Sequence, residues 1–208
     1  MSQSPADTLA EFWNQRYAGA EFAYGTAPND FLVAMMPRFK PGGELLCLAD
    51  GEGRNGVWLA RQGFAVTSID ISRRGMDKTA QLAVAHGVAL KTRVADLSAH
   101  DIGCAAWDGI VSIFVHLPPQ VRRDLHRRCV AALRPDGIMV FEAYGPGQLG
   151  RGTGGPPEAA LLPALDDVEQ EFPGCQILHR FTGLREVNEG RHHNGIGDVV
   201  QIVAQREP

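Results

Sequence analysis

Cysteine is scarce in this sequence and has no pattern. The four residues, Cys47, Cys104, Cys129 and Cys175, are scattered without C-x-x-C spacing. That argues against a disulfide framework and against a zinc ribbon. No apolar run approaches the ~20 residues of a membrane-spanning helix. Residues 1–7 are polar and lack both the basic and the apolar part of a secretory leader, so a cytoplasmic chain with no membrane attachment is expected. Positive charge is not in excess either: Lys+Arg 20 against Asp+Glu 24 leaves a formal net charge of -4. This excludes a globally basic nucleic-acid binder. The one basic run, Arg122, Arg123, His126, Arg127, Arg128 and Arg134, has no interleaved aromatic residue and reads as a solvated helix face. There is no internal repeat at solenoid or propeller spacing.

What the sequence does have is alternation. Strand-like segments at 45–48, 64–69, 88–95, 107–115 and 138–141 alternate with helix-like segments at 54–62, 72–86 and 120–134. Ser72 reads as a helix N-cap, and Gly63 and Gly87 as helix stops. The run 107–115 is almost continuously apolar, as a central strand buried on both faces requires. This pattern predicts a parallel sheet covered by helices on both sides. After residue 144 the character changes. A Gly/Pro-rich loop is expected over 145–157 and a helix over 158–172. Two strands at 176–187 and 198–205 follow, joined as an antiparallel hairpin through a turn holding Gly190, Gly195 and Gly197. Two helices, near 5–17 and 28–36, precede the first strand. The length of 208 residues suits a single domain.

The sharpest local signal is Gly51-Glu52-Gly53-Arg54-Asn55-Gly56, which follows a strand and opens a helix. Glycine permits a tight turn and close approach of a ligand, and free N–H groups at the helix start favour a polar or anionic group. Alone, this G-x-G-x-x-G spacing also describes a plain strand-to-helix turn. Two carboxylates strengthen it. Asp70 ends the second strand, where it could accept from both ribose hydroxyls of a nucleoside. Asp96 ends the third, where it could accept from an adenine amino group while Leu97 offers a backbone N–H and an apolar wall. Together they describe a nucleoside site at the carboxyl ends of parallel strands.

These residues resemble the class I S-adenosylmethionine-dependent methyltransferases, and within them the small tellurite-resistance-like members. The likeness runs through 46–60 (LCLADGEGRNGVWLA), 66–72 (VTSIDIS), 94–97 (VADL), 107–118 (WDGIVSIFVHLP), 133–144 (LRPDGIMVFEAY) and 199–204. Residues 13–17 (WNQRY), with Tyr24-Gly25, are similar to that family's cofactor-covering segment. The resemblance implies a Rossmann-like, seven-stranded, mostly parallel α/β sheet with helices on both faces and a C-terminal antiparallel hairpin. It implies one domain: a helical cofactor-covering segment at 1–44, a cofactor-binding core at 45–145, and a substrate-side loop, helix and hairpin at 146–208. It also implies S-adenosyl-L-methionine contacts at Tyr24, Gly51, Gly53, Asn55, Asp70, Ile71, Asp96, Leu97 and Phe114. One loop departs from the family, with Cys47 where an acidic residue is usual and Ala49 where glycine is usual. Asp50 is expected to supply some of the missing negative charge near the methionine amino group.

For the transfer itself, His116 follows the fourth strand and faces the switch-point crevice, either as a general base or as a helix-start contact before Pro118. Tyr144 ends the fifth strand, lining the substrate pocket or simply packing. Arg185, Arg191, His192 and His193 lie on the hairpin and suit an anionic substrate or solvent. The resemblance singles out His193 and Arg185. No third ligand accompanies the His-His pair, so no metal is expected. The reading is methyl transfer to a small-molecule acceptor such as a thiol or a chalcogen oxyanion, without nucleic acid or membrane; the oligomeric state stays open. The rivals are an NAD(P)-dependent oxidoreductase and a non-catalytic S-adenosylmethionine-binding protein.

Overall fold

The computed structural model describes residues 4–208; the reading of residues 1–7 falls partly on residues 1–3, outside that range. The helices are α1 (Pro5–Arg16), α2 (Asp30–Met35), α3 (Arg54–Arg61), α4 (Arg73–Ala85), α5 (Pro119–Ala132) and α6 (Leu165–Glu169). The strands are β1 (Glu44–Leu48), β2 (Ala65–Asp70), β3 (Lys91–Val94), β4 (Trp107–Ile113), β5 (Leu133–Tyr144), β6 (Cys175–Asn188) and β7 (Asn194–Arg206). They form one seven-stranded sheet in the order β3-β2-β1-β4-β5-β7-β6. Neighbours from β3 to β5 pair in parallel, and β7 runs antiparallel to both β5 and β6. This is the Rossmann-like architecture expected, with the last strand inserted between the fifth and the sixth.

Apolar residues of the central strands alternate between two cores, as side chains of period two must when both faces are covered. Leu46 and Leu48 of β1, Ile110 of β4 and Phe141 of β5 join the side chains of α5 and α6 on one face. Leu45, Cys47, Val111 and Val140 meet Phe31, Leu32 and Leu59 of α2 and α3 on the other. Both faces being filled, the strand ends are left to carry the chemistry. The chain reverses direction across the sheet between β1 and β4, which creates a crevice at their carboxyl ends.

Several expectations are corrected. The helix foreseen over 158–172 is a short 3-10 turn (Ala159–Leu161) followed by α6 (Leu165–Glu169). Pro163 divides them, because a proline forces the preceding Leu162 out of the helical region (φ -102, ψ 96). β5 begins at Leu133, so Pro135-Asp136-Gly137 lies inside an irregular strand rather than ending an element. β3 starts at Lys91 and is exposed at the sheet edge. Gly195 and Gly197 belong to β7, leaving a tighter hairpin turn. The basic run along α5 and the start of β5 is also not a uniformly solvated face. Arg122 is buried against Glu171, Arg128 donates to the carbonyls of Leu97 and His100, and Arg134 bridges Glu44 and Asp108.

Candidate functional site

The loop leaving β1 is shaped by what lies over it. Gly51 has φ +58, and a Cβ there would stand 2.6 Å from the Tyr17 hydroxyl. Gly53, the N-cap of α3, has φ +85, and its Cβ would stand 2.6 Å from Thr79 Cγ2. Both positions combine a left-handed backbone with an occupied neighbour, so glycine is required twice over. Glycine cannot cap a helix with a side chain, and Asp50 takes over that task. Its carboxylate accepts from Gly56 N–H at 3.2 Å and from Ser68 Oγ at 2.6 Å. Asp50 therefore turns its charge into the first turn of α3, and burial pushes its pKa up to about 6.

Asp70 closes the loop from the β2 side. One carboxylate oxygen accepts from Gly51 N–H at 2.9 Å and the other from Ser72 N–H at 2.7 Å. Burial raises its pKa to about 6, against the pull of those backbone donors. Asp96 accepts from Ser98 N–H and Ser98 Oγ at 2.8 and 2.7 Å. Ala49 (φ 45) and Phe114 (φ 55), at the tips of β1 and β4, are both non-glycine residues in the left-handed region. That backbone strain sits at the switch-point crevice, where strain of this kind tends to collect.

The loop opens into a cavity of about 840 Å³. Its walls include Tyr24, Asp50, Gly51, Asn55, Asp70, Ile71, Asp96, Leu97 and Phe114, and also His116 and His193. Gly53, Tyr144 and Arg185 stand behind the wall. His116 Nδ1 lies 3.1 Å from the Leu161 carbonyl oxygen, which places the ring proton on Nδ1. Its Nε2 is buried with no hydrogen-bond partner among the described residues. Burial drops the His116 pKa to about 4, so the ring is neutral at ordinary pH. His193 is packed among Tyr24, Phe114 and Tyr144, with ring centroids 4.6, 4.7 and 5.2 Å away. Tyr144 is fully buried and stacks on Phe114 at 4.5 Å.

Arg185 lies over the Phe114 ring at 6.0 Å and is otherwise held by carboxylates. Its guanidinium pairs with the buried Glu142 at 2.5 Å and lies 3.4 Å from Glu189. Glu189 in turn binds Arg54 at 2.5 Å and accepts from Asn29 Nδ2 at 2.8 Å. Asn29 also donates to Glu142, and its N–H donates to Asn55 Oδ1. This buried network ties α2, α3, β5 and the hairpin together. Against burial, which raises it, the His193 ring and then the paired Arg54 and Arg185 hold the Glu189 pKa down to about 2.

Residues 45–137 match the family described as methyltransferase domain. Three solved structures share the fold of this chain. The first, from work on the conversion of a disulfide bond into a thioacetal group during echinomycin biosynthesis, is 19% identical, covering 96% of this chain and 92% of that one, with TM-score 0.74. TehB from Haemophilus influenzae is 16% identical over 95% of this chain and 67% of its own, with TM-score 0.71. ChlM, a magnesium protoporphyrin IX methyltransferase from Synechocystis PCC 6803 with bound S-adenosylhomocysteine, is 18% identical over 98% and 100%, with TM-score 0.68. No curated protein matches by sequence. At these identities the likeness is one of fold, and the fold is that of the class I S-adenosylmethionine-dependent methyltransferases.

Sequence reasoning missed part of this site. Tyr17, within the covering segment that the resemblance picks out at 13–17, is buried over Gly51. Arg54 lies inside the glycine motif, but its partner Glu189 sits in a polar hairpin turn with no local signal. Asn29 is legible only as the N-cap of α2. Among the described residues no helix is long and apolar enough to cross a membrane, and no group of three or more His, Cys, Asp or Glu could hold a metal ion.

Proposed function

We propose that the protein transfers the methyl group of S-adenosylmethionine to a small-molecule acceptor that gives up a proton, with a thiol favoured over a chalcogen oxyanion. The observation carrying this is a single cavity. It runs from the glycine loop and two strand-tip aspartates to a neutral imidazole with a free Nε2. The donor set fits the cofactor. Asp70 would take the ribose hydroxyls, and Asp96 and Leu97 would take the adenine edge. The backbone of residues 49–51, Asn55 and Tyr24 would border the methionine end. The segment 1–44 would cover it, through the Tyr17 hydroxyl above Gly51.

The cofactor supplies an activated methyl on a sulfonium, so the protein's task is to align the nucleophile and exclude water. His116, fixed by the Leu161 carbonyl, receives the acceptor proton at Nε2. An acceptor that arrives as an inorganic oxyanion needs no such base. His193 holds the aromatic wall of Tyr24 and Phe114 against the acceptor. Arg185 and Tyr144 are positioning residues, acting through Glu142 and Phe114. A dinucleotide-binding oxidoreductase is disfavoured because the antiparallel β7 stands where a second mononucleotide half would continue the parallel sheet.

Thermal unfolding tests this. Each of S-adenosylhomocysteine, S-adenosylmethionine, NAD and NADP is added in excess. A ligand at ~100 times its dissociation constant adds ~2.7 kcal/mol, a shift of roughly 5–10 °C at this size. Shifts with the adenosyl ligands alone are expected. Shifts with the nicotinamides alone would end the reading. Release of S-adenosylhomocysteine with an aryl or alkyl thiol separates an enzyme from a non-catalytic binding protein.

A further inference from the structure

We infer that the acceptor is an organic acid with an apolar body, whose carboxylate is held at the cavity mouth by Arg16 and Arg191 beside His192. The inference rests on the methyl-transfer reading for the acceptor half of the cavity. All three residues line the cavity. Arg16 Nη1 donates to the Tyr24 hydroxyl at 3.2 Å, and the Tyr24 ring lies 5.6 Å from the His192 ring. Arg191 precedes His192 in the hairpin turn, and a Cβ on Gly19 would stand 3.8 Å from its Nη2. The cations thus come from two separate segments and converge.

Their lack of counter-charge sets them apart. Arg54, Arg122 and Arg185 each hold a carboxylate at 2.5 to 2.8 Å. Arg16 has none within 4.0 Å among the described residues. Arg191 has only Glu21, at 3.7 Å, and that side chain is almost fully exposed. After burial, the neighbouring Arg16 and Arg191 charges hold His192 below its ordinary pKa. Like charges gathered on one concave wall lose this mutual repulsion when an anion joins them. The cavity's aspartates, Asp50, Asp70 and Asp96, lie at its glycine-loop end on backbone amides and hydroxyls, and none comes within 4.0 Å of either arginine.

The apolar requirement comes from α1. None of its residues is buried, and Leu9 and Phe12 are 42% and 50% exposed while lining the same cavity. The Arg16 guanidinium lies 5.3 Å over the Phe12 ring, so an aromatic face and a cation are presented together. A small inorganic oxyanion would satisfy the arginines and leave these side chains bare. An acid with a hydrocarbon body covers both.

The test is calorimetry on the full chain, with and without S-adenosylhomocysteine. The probes are 2-mercaptobenzoate and octanoate, each beside its neutral amide, and selenite. At least one acid is expected to bind about tenfold or more tighter than its own amide, as a charge-assisted hydrogen bond implies. The double variant Arg16→Gln/Arg191→Gln should erase that preference, and Arg191→Gln alone, outside the cofactor-covering segment, should weaken it while S-adenosylhomocysteine still binds. The proposal is overturned if neither acid outbinds its amide, if no organic probe binds, if selenite binds tighter than both acids, or if the double variant keeps the preference. Failure of wild-type protein to bind S-adenosylhomocysteine would instead overturn the methyl-transfer reading, and the acid-to-amide comparison would still decide the mouth.

Discussion

At the glycine-loop end of the cavity every aspartate is met by donors: Asp50 by Gly56 and Ser68, Asp70 by Gly51 and Ser72, Asp96 by Ser98. At the acceptor end, His116 keeps a buried Nε2 without a hydrogen-bond partner among the described residues, and His193 Nδ1 faces only the Glu189 carboxylate, at 3.9 Å. The first end is preorganised and rigid, so a constant ligand meets a finished surface. The second holds unsatisfied polar atoms, which are costly unless a ligand or solvent completes them. A cofactor common to many reactions suits the first construction, and a variable acceptor suits the second.

The contrast is broken most severely by His116→Ala. Removing a general base costs about 10²–10⁴ in rate. Turnover with a thiol should fall by that order while calorimetric affinity for S-adenosylhomocysteine is kept; equal loss of both would merge the two ends. Next in size is Asp70→Ala, expected to weaken S-adenosylhomocysteine binding by about 1.5–3 kcal/mol. Because Asp70 also holds two backbone amides, Asp70→Asn serves as its companion. Unchanged affinity in both variants would remove the ribose role.

A pH series sharpens the same division. Burial raises the Asp70 pKa to about 6, so the carboxylate is charged above that pH and protonated below it. Affinity for S-adenosylhomocysteine should decline as pH falls through about 6. Burial lowers the His116 pKa to about 4, so its base form persists well below the ordinary imidazole range. At saturating cofactor, the acid limb of kcat from His116 should lie near 4. A limb near 6.5 that His116→Ala abolishes would contradict the buried, Leu161-bonded ring.

The smallest effect concerns the loop itself. Ala49 holds φ 45, where an L side chain is strained. Ala49→Gly should relieve that strain, partly offset by the freedom glycine adds to the unfolded chain. A net gain of about 0.5–1 kcal/mol, or ~1–4 °C in Tm, is expected. A fall in Tm would mean that the Ala49 methyl, packed on the core beside Leu48, outweighs the backbone.

Much of this was legible because it is periodic or local. The apolar strand runs, the glycine turn and the strand-tip aspartates follow from residue spacing alone. The helix expected over 158–172 failed at Pro163, a local signal outweighed by the apolar pattern around it. The resemblance puts Asp50 near the methionine end, and the lack of a capping side chain at Gly53 gives its carboxylate a further task at Gly56. Glu189 and Asn29 carried no signal because their partners lie far along the chain, at Arg54 and Glu142.

The sequence by itself determined the α/β alternation, the nucleoside-type loop and the residues at the strand tips, since hydrophobic period and turn chemistry act over a few residues. Only the tertiary structure decided which polar groups are spent and which are free. Arg185 is consumed by Glu142, Arg16 is left open beside Phe12, and the proton of His116 is set by a carbonyl at Leu161. Such pairings depend on which distant segments the sheet brings within hydrogen-bond reach, and no short stretch of sequence encodes that distance.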